Sequence, residues 1–374
     1  MKIMLLCQSL VVGGTQRQIA LLAPALRRRG HDVSVAVFYC RGPFAAELVA
    51  GGVPLHDLGK HGRWDVIGFL SGLRRRVAIE RPDVLYAFLP VPNIIAALIK
   101  LVVYPAPRVV FGVRSARMLR SYDWLTHRQY RIEALLSSLA DGVIVNSSQG
   151  LVDTIARGFR ARHIAVVSNG TDTDLFAPDP DARARLRAEW GIGEHEVLVG
   201  QVARFDPMKG HDVFFAAATR LSCQSASWRF VCIGIDDNKR VLVQALADRI
   251  APGLRLILAG ARTDMASCFS ALDIACQASH FGEGFPNAVS EAMACGVPCV
   301  VTDVGDARAI VGDLGVVVPA GDAAALANGL AEMRARLERE RSQLAVAVRR
   351  SITERFSVTA FAEATERALQ VALS

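Results

Sequence analysis

The sequence predicts an α/β protein built from two doubly wound domains, and three observations carry that prediction. The chain has 374 residues, more than one hydrophobic core usually serves. Apolar runs of strand length alternate with helix-period stretches from end to end. The same rhythm then starts afresh after a segment rich in Asp, Pro and Gly, residues 169–196.

In the first series, "KIMLLCQ" is followed by the helical "TQRQIALLAPALRRRG". "DVSVAVFY", "DVLYAF", "RVVFGV", "DGVIVNS" and "HIAVVSNG" come next. The second series reads "EVLVGQVA", "RFVCIG", "LRLILAG", "IACQA", "PCVVTD" and "GVVVP". These runs are continuously apolar, as parallel strands covered on both faces must be. Strands separated by helices make right-handed βαβ units. The intervening segment reads as a linker with one helix, which sets the domains at 1–172 and 173–351. The tail has apolar residues at helical spacing and no strand after it. It is expected as one terminal helix, 352–374, completing the first domain.

Composition is ordinary for a globular chain, 52% hydrophobic and 21% charged, with no low-complexity segment. Eight cysteines stand singly in apolar runs without a C-x-x-C pair, the usage of buried thiols in a reducing compartment. No structural metal is expected. The opening "MKIMLLCQSLVVGG" is too short for a signal h-region and reads as a buried first strand. The longest apolar run, 91–105, carries Lys100 and falls short of a membrane span. A cytoplasmic protein is expected.

Charge is unevenly spread. Residues 1–170 hold 22 Lys and Arg against 10 Asp and Glu, and the remainder 21 against 26, so the first half is net +12 and the second net −5. Such asymmetry implies an anionic partner for the first half. Few aromatics interleave with the basic residues and no nucleic-acid motif is present. An anionic membrane surface is therefore expected rather than nucleic acid. The stretch 113–136 spaces Arg117, Arg120, Arg128 and Arg131 at mostly helical steps around Tyr122 and Trp124, the pattern of an interfacial element.

Ligands of open α/β sheets bind beyond the carboxyl ends of the strands, and the motifs of this chain fall there. "VVGGTQ" places Gly13 and Gly14 between a strand and a helix, where backbone can approach an anion. "ARFDPMKGHD" lets Arg204 and Lys209 converge across a turn, a fork and a compact ammonium suited to pyrophosphate. "FGEGFPNAVSEAMACG" puts Glu283 in a Gly/Pro loop and Glu291 inside the following helix, with the amides of residues 287–289 between them. Two carboxylates for hydroxyls and a helix N-terminus for an anion suit a sugar joined to a nucleoside through phosphates. Taken singly, a tight turn, a solvated loop and a dipole-compensating carboxylate account for each motif. Their occurrence together does not follow from those readings.

At these residues the chain resembles the retaining family 4 glycosyltransferases of the GT-B fold, most strongly over 166–318. The carrying motifs are "VVSNGTDTDLF", "VARFDPMKGHD", "LAGARTDM", "EGFPNAVSEAMACGVPCVVTDVG" and "GDLGVVV". The resemblance implies two Rossmann-like domains facing each other across a cleft, the first for the acceptor and the second for a nucleotide-diphosphate sugar. It implies that Arg204 and Lys209 hold the donor diphosphate, Glu283 the transferred sugar and Glu291 the ribose. The backbone of Phe285, Asn287, Ala288 and Val289 would cradle sugar and phosphate. Gly13 and Gly14 would close on the diphosphate, and Arg262 would mark the base-contacting loop. Many relatives carry a His after a first-domain strand, where this chain has Arg114. An arginine is no base near neutral pH, but it can stabilise developing charge or hold an anionic acceptor.

The implied chemistry is metal-independent transfer of a hexose with retention, without a bound cofactor, and no D-x-D motif is expected near a donor site. The implied acceptor is a sugar or polyprenyl-linked saccharide in polysaccharide or lipopolysaccharide assembly, with the protein peripheral on the inner face of the cytoplasmic membrane. A phosphorylase, a nucleotide-sugar epimerase and an inactive membrane-bound scaffold are the competing readings.

Overall fold

The computed structural model describes residues 1–60, 65, 67–114 and 124–374. Two compact units emerge, Met1–Gly170 with Val358–Ser374, and Thr171–Ser357.

The first unit is a seven-stranded parallel sheet: β1 (Lys2–Cys7), β2 (Asp32–Val37), β3 (Leu55–Asp57), β4 (Val84–Phe88), β5 (Arg108–Val113), β6 (Gly142–Val145) and β7 (Ile164–Val166), in the order β3-β2-β1-β4-β5-β6-β7. Six of these were legible as apolar runs, whereas β3 is a three-residue edge strand with His56 at its centre. The second unit has six parallel strands: β8 (Val197–Val202), β9 (Trp228–Ile233), β10 (Leu256–Leu258), β11 (Ile274–Gln277), β12 (Cys299–Thr302) and β13 (Val316–Val318), in the order β10-β9-β8-β11-β12-β13. The predicted doubly wound α/β class therefore describes both units. Each sheet changes direction at its first strand, between β1 and β4 and between β8 and β11. Those positions open a crevice at the strands' carboxyl ends.

The C-terminal segment differs from the single helix expected. One helix runs Ala323–Phe356, kinked at Glu340, and stays in the second unit. Ser357 is extended, and a separate helix, Val358–Leu373, packs Phe361, Thr365 and Leu369 onto the first unit. Arg29 anchors this helix through Glu363 at 3.1 Å and Glu366 at 2.6 Å. Six of the eight cysteines are buried as expected, but Cys40 and Cys223 are exposed at element ends. No helix of the described residues is long and apolar enough to cross a membrane.

Asp273, immediately before β11, ties the second unit together. Its carboxylate accepts from Arg183 at 2.6 Å, Arg187 at 2.9 Å, Arg341 at 2.7 Å and the Leu198 N–H at 2.8 Å. The linker helix Pro180–Glu189, β8 and the long C-terminal helix thereby meet at the start of β11. Burial alone pushes this carboxyl up, but Arg183, the Leu198 N–H and Arg341 outweigh it and hold the group below the usual carboxylate range. A depressed folded-state pKa contributes stability that is present above the unfolded value near 4 and is lost as pH falls through the folded value. Asp273→Asn is therefore expected to lower the unfolding free energy by about 3–5 kcal/mol at pH 7, the usual cost of breaking a buried pair. Urea titrations at pH 7 and in acid check this, with the difference from wild type shrinking as the wild-type carboxyl protonates.

Candidate active site

The second unit's switch point carries a cavity of about 230 Å³ between the ends of β8 and β11. Gln201, Lys209, Glu283, Phe285, Asn287 and Ala288 are among its lining. The residues reach it from three short segments.

The first segment leaves β8 and forms the turn Pro207–Lys209. The Asp206 carboxylate accepts from the Met208 N–H at 2.9 Å, and the Asp206 carbonyl accepts from the Lys209 N–H at 2.9 Å. The turn is pressed against the exit of β11. Gly210 has φ +63°, and a Cβ there would lie 1.9 Å from the Ala278 carbonyl oxygen, so only glycine fits. Gln201 donates from Nε2 to the Lys209 carbonyl at 2.8 Å. His211 follows, packed between Phe205 and Phe215, and burial pushes its pKa down to about 4. It is a neutral packing residue at physiological pH.

The second segment is the loop after β11. Glu283 is only 8% exposed. Its Oε1 accepts from Lys209 Nζ at 2.6 Å and from the Ser279 hydroxyl at 2.7 Å. The loop is fixed by His280 N–H to the Met208 carbonyl at 2.8 Å and Thr302 Oγ1 to the Ser279 carbonyl at 2.7 Å. The Asp306 N–H to Gly284 carbonyl bond, 2.9 Å, holds its far end.

The third segment is the helix Asn287–Ala294, with Pro286 at its N-cap and Gly296 (φ +78°) just beyond its end. Asn287, Ala288 and Val289 face the cavity, and the first N–H groups of a helix have no intrahelical acceptor. Val289 is an exception, since its N–H donates to the Pro286 carbonyl at 3.1 Å. Phe285 turns inward, edge-on to Phe356 with ring centroids 5.2 Å apart.

The residues singled out from the sequence thus divide. Lys209, Glu283, Phe285, Asn287, Ala288 and Val289 share one cavity. Glu291 is buried farther along the helix, outside the lining. Arg204 is exposed and has no hydrogen bond or ion pair among the described residues. Arg262 is fastened elsewhere, to Asp264 at 2.7 and 2.8 Å and Glu189 at 2.9 Å, beside the Trp190 ring. These partners, Asp264 first, raise its pKa further, and Arg262 in turn holds Asp264 below the usual carboxylate range. Asp172 and Asp174 make a D-x-D in the sequence, but neither lines the cavity. The Asp172 carboxylate already accepts from the N–H groups of Asp174 and Leu175, at 3.1 and 3.0 Å.

In the first unit, Gly13 is extended at φ −179° and precedes the helix Gly14–Arg28 after β1. Arg114 ends β5. It donates to Asn169 Oδ1 at 2.8 Å and the Tyr86 hydroxyl at 3.1 Å, between the rings of Phe88 and Phe361. Burial pushes the Tyr86 hydroxyl up, against the pull of Arg114. These four neighbours are all neutral, so none of them offsets the guanidinium's charge.

Ser279 and Gln201 fall just outside the sequence motifs, and Thr302 and Gly305 stand inside one without being distinguished by it. Ser279 stands four residues before Glu283, but no spacing rule marks a serine in a loop as a carboxylate's partner.

The model of the family described as Glycosyl transferases group 1 matches residues 196–335, and that described as Glycosyltransferase Family 4 matches 12–175. A GDP-mannose-dependent alpha-(1-6)-phosphatidylinositol monomannoside mannosyltransferase of Mycolicibacterium smegmatis is 32% identical over 178 residues, 44% of this chain and 46% of that protein. A D-inositol 3-phosphate glycosyltransferase of Segniliparus rotundus is 31% identical over 155 residues, 40% of this chain and 34% of that protein. The matches span less than half the length of these curated relatives. Among solved structures, Anabaena HepE in complex with UDP superimposes with a TM-score of 0.83 at 22% identity, covering 99% of this chain and 100% of that one. The same protein has been solved with UDP-glucose.

Gly305 supplies a structural test of the loop. It has φ +63°, and a Cβ there would lie 2.5 Å from the Gly284 carbonyl oxygen and 2.6 Å from that of Glu283. Gly305→Ala is expected to cost about 1–3 kcal/mol and to loosen the Glu283 loop. Thermal unfolding reads the first effect, and faster amide hydrogen exchange over residues 279–287 reads the second.

Proposed function

Because this chain belongs to the family 4 glycosyltransferases and has their two Rossmann-like α/β units of GT-B type, we propose that it transfers a sugar, with retention, from a nucleotide-diphosphate sugar to an acceptor. One observation carries the reading. A lysine and a glutamate converge at 2.6 Å on a cavity that also receives the N-terminus of a helix. Cation and amides suit a diphosphate, and the carboxylate suits a sugar hydroxyl.

In the proposed step, the bond between the anomeric carbon and the diphosphate oxygen breaks. A bond from the acceptor hydroxyl oxygen forms on the same face, and the hydroxyl proton passes to the departing diphosphate. Lys209 has two further N–H donors besides the one given to Glu283. With the exposed Arg204 and the helix amides, they neutralise the growing charge. Glu283 accepts a hydroxyl of the transferred sugar, Glu291 the ribose hydroxyls, and the segment at Arg262 flanks the base. Neither metal nor bound cofactor is required by this scheme. Gly13, Gly14 and the fixed charge of Arg114 belong to the acceptor unit, where a positive charge suits an anionic acceptor such as a polyprenyl-linked saccharide. That HepE binds UDP and UDP-glucose, and that the mycobacterial relative uses GDP-mannose, supports a nucleotide-sugar donor.

A lipid-linked acceptor implies a peripheral protein on the inner face of the cytoplasmic membrane. The described part of 113–136 supports this. The helix Trp124–Leu136 exposes Trp124 (67%) and Leu135 (71%), and Arg128 stacks on Trp124 at 4.8 Å. Arg117, Arg120 and Tyr122 lie outside the described residues.

Two experiments test the proposal. Arg204→Ala and Lys209→Ala are each expected to remove about 2–4 kcal/mol of transition-state stabilisation in a donor-hydrolysis or transfer assay. Arg204→Ala leaves stability unchanged. Lys209→Ala also lowers it, since the partly buried Glu283 loses its cation; near-wild-type turnover of both variants contradicts the diphosphate assignment. Co-sedimentation with anionic liposomes is expected to exceed that with neutral ones and to fall as salt rises, each basic residue contributing about 1 kcal/mol at most. Equal, salt-independent recovery with both lipids removes the membrane assignment alone.

A further inference from the structure

The Glu283 carboxylate is held by one oxygen only. Oε1 accepts both Lys209 Nζ and the Ser279 hydroxyl, while Oε2 has no partner among the described residues. Ser279 is 1% exposed, so bulk water does not compete for its hydroxyl. Gln277 Nε2 approaches the Ser279 oxygen at 3.4 Å, and Thr302 Oγ1 donates to the Ser279 carbonyl at 2.7 Å. The single hydroxyl proton of Ser279 is thereby directed at Glu283.

A carboxylate on its terminal torsion rotates in a broad well, and an ammonium on a four-carbon stem is a point charge that follows it. Lys209 by itself neutralises Glu283 without orienting it. A buried hydroxyl at 2.7 Å, on a serine whose carbonyl is also tied down, supplies the missing direction. We infer that Ser279 is a positioning residue for the transferred sugar: it locks Oε1 so that Oε2 alone is presented to a donor-sugar hydroxyl. This rests on the function proposed above and deepens it, because a sugar without that hydroxyl leaves Oε2 unpaired. The site then selects for the hydroxyl rather than merely tolerating it.

The test uses the full chain with nucleotide sugars that include UDP-glucose and GDP-mannose, then with monodeoxy analogues of whichever donor is turned over. Ser279→Ala and the near-isosteric Ser279→Cys are expected to lower kcat about 10- to 100-fold, the scale of a misplaced reacting group. The KM and the calorimetric affinity for the nucleoside diphosphate stay within about twofold. Ser279→Thr, which keeps a hydroxyl, recovers most of the turnover. One monodeoxy donor is disfavoured by wild type and much less by Ser279→Ala, and adding Ser279→Ala to Glu283→Gln costs little more. A merely structural serine would lower diphosphate affinity with kcat and leave the deoxy discrimination intact. That result, or Ser279→Ala within twofold of wild type, overturns the inference while the transferase reading stands. Failure of wild type on every donor overturns the transferase reading and this inference with it.

Discussion

The ion pair between Lys209 and Glu283 joins two loops 74 residues apart in sequence, with 2.6 Å between Nζ and Oε1. Everything at the site is arranged around it. The sheet order brings β8 beside β11, so that the loops leaving both strands emerge at one crevice. Gly210 then lets the lysine turn press against the exit of β11, and Gly305 lets the segment after β12 press against the glutamate loop. Removing two charges partly from water opposes folding, and replacing such pairs by apolar residues is often neutral or stabilising. The pair is therefore better understood as holding the two loops together, with the carboxylate's direction left to Ser279, than as a source of stability. Asp273 with its three arginines, outside the cavity lining, is the ionic cluster that ties the unit's elements together.

This division of labour changes what the charged residues do. Lys209 neutralises a neighbour before any substrate arrives, and its remaining donors are what a diphosphate can use. Arg204 is exposed and unpaired among the described residues, so of the two cations it is the one without a carboxylate partner. Arg262 is held by two carboxylates, which occupy its guanidinium. Arg114 has only neutral partners among the described residues, so no carboxylate there offsets its charge.

Much of this was legible in the sequence because it depends on local pattern. Continuous apolar runs marked twelve of the thirteen strands, and β3 escaped because three residues around a histidine carry no hydrophobic signal. The helix break at Ser357 escaped because neither Gly nor Pro interrupts the pattern there, and the helical period continues through it. Lys209, Glu283 and the Asn287 helix start were visible as residue types at the ends of strands. Their partners were not. That Arg262 is spent on Asp264 and Glu189, or that Ser279 points its proton at Glu283, is a matter of side-chain direction between distant segments, which no spacing rule encodes.

The most direct measurement is a calorimetric titration of the protein with a nucleoside, its monophosphate and its diphosphate, across the common bases. The account predicts saturable one-to-one binding of at least one diphosphate, with affinity falling sharply when the second phosphate is removed and weakening as salt rises. Absence of binding by every diphosphate, or equal affinity for nucleoside and diphosphate, would contradict it.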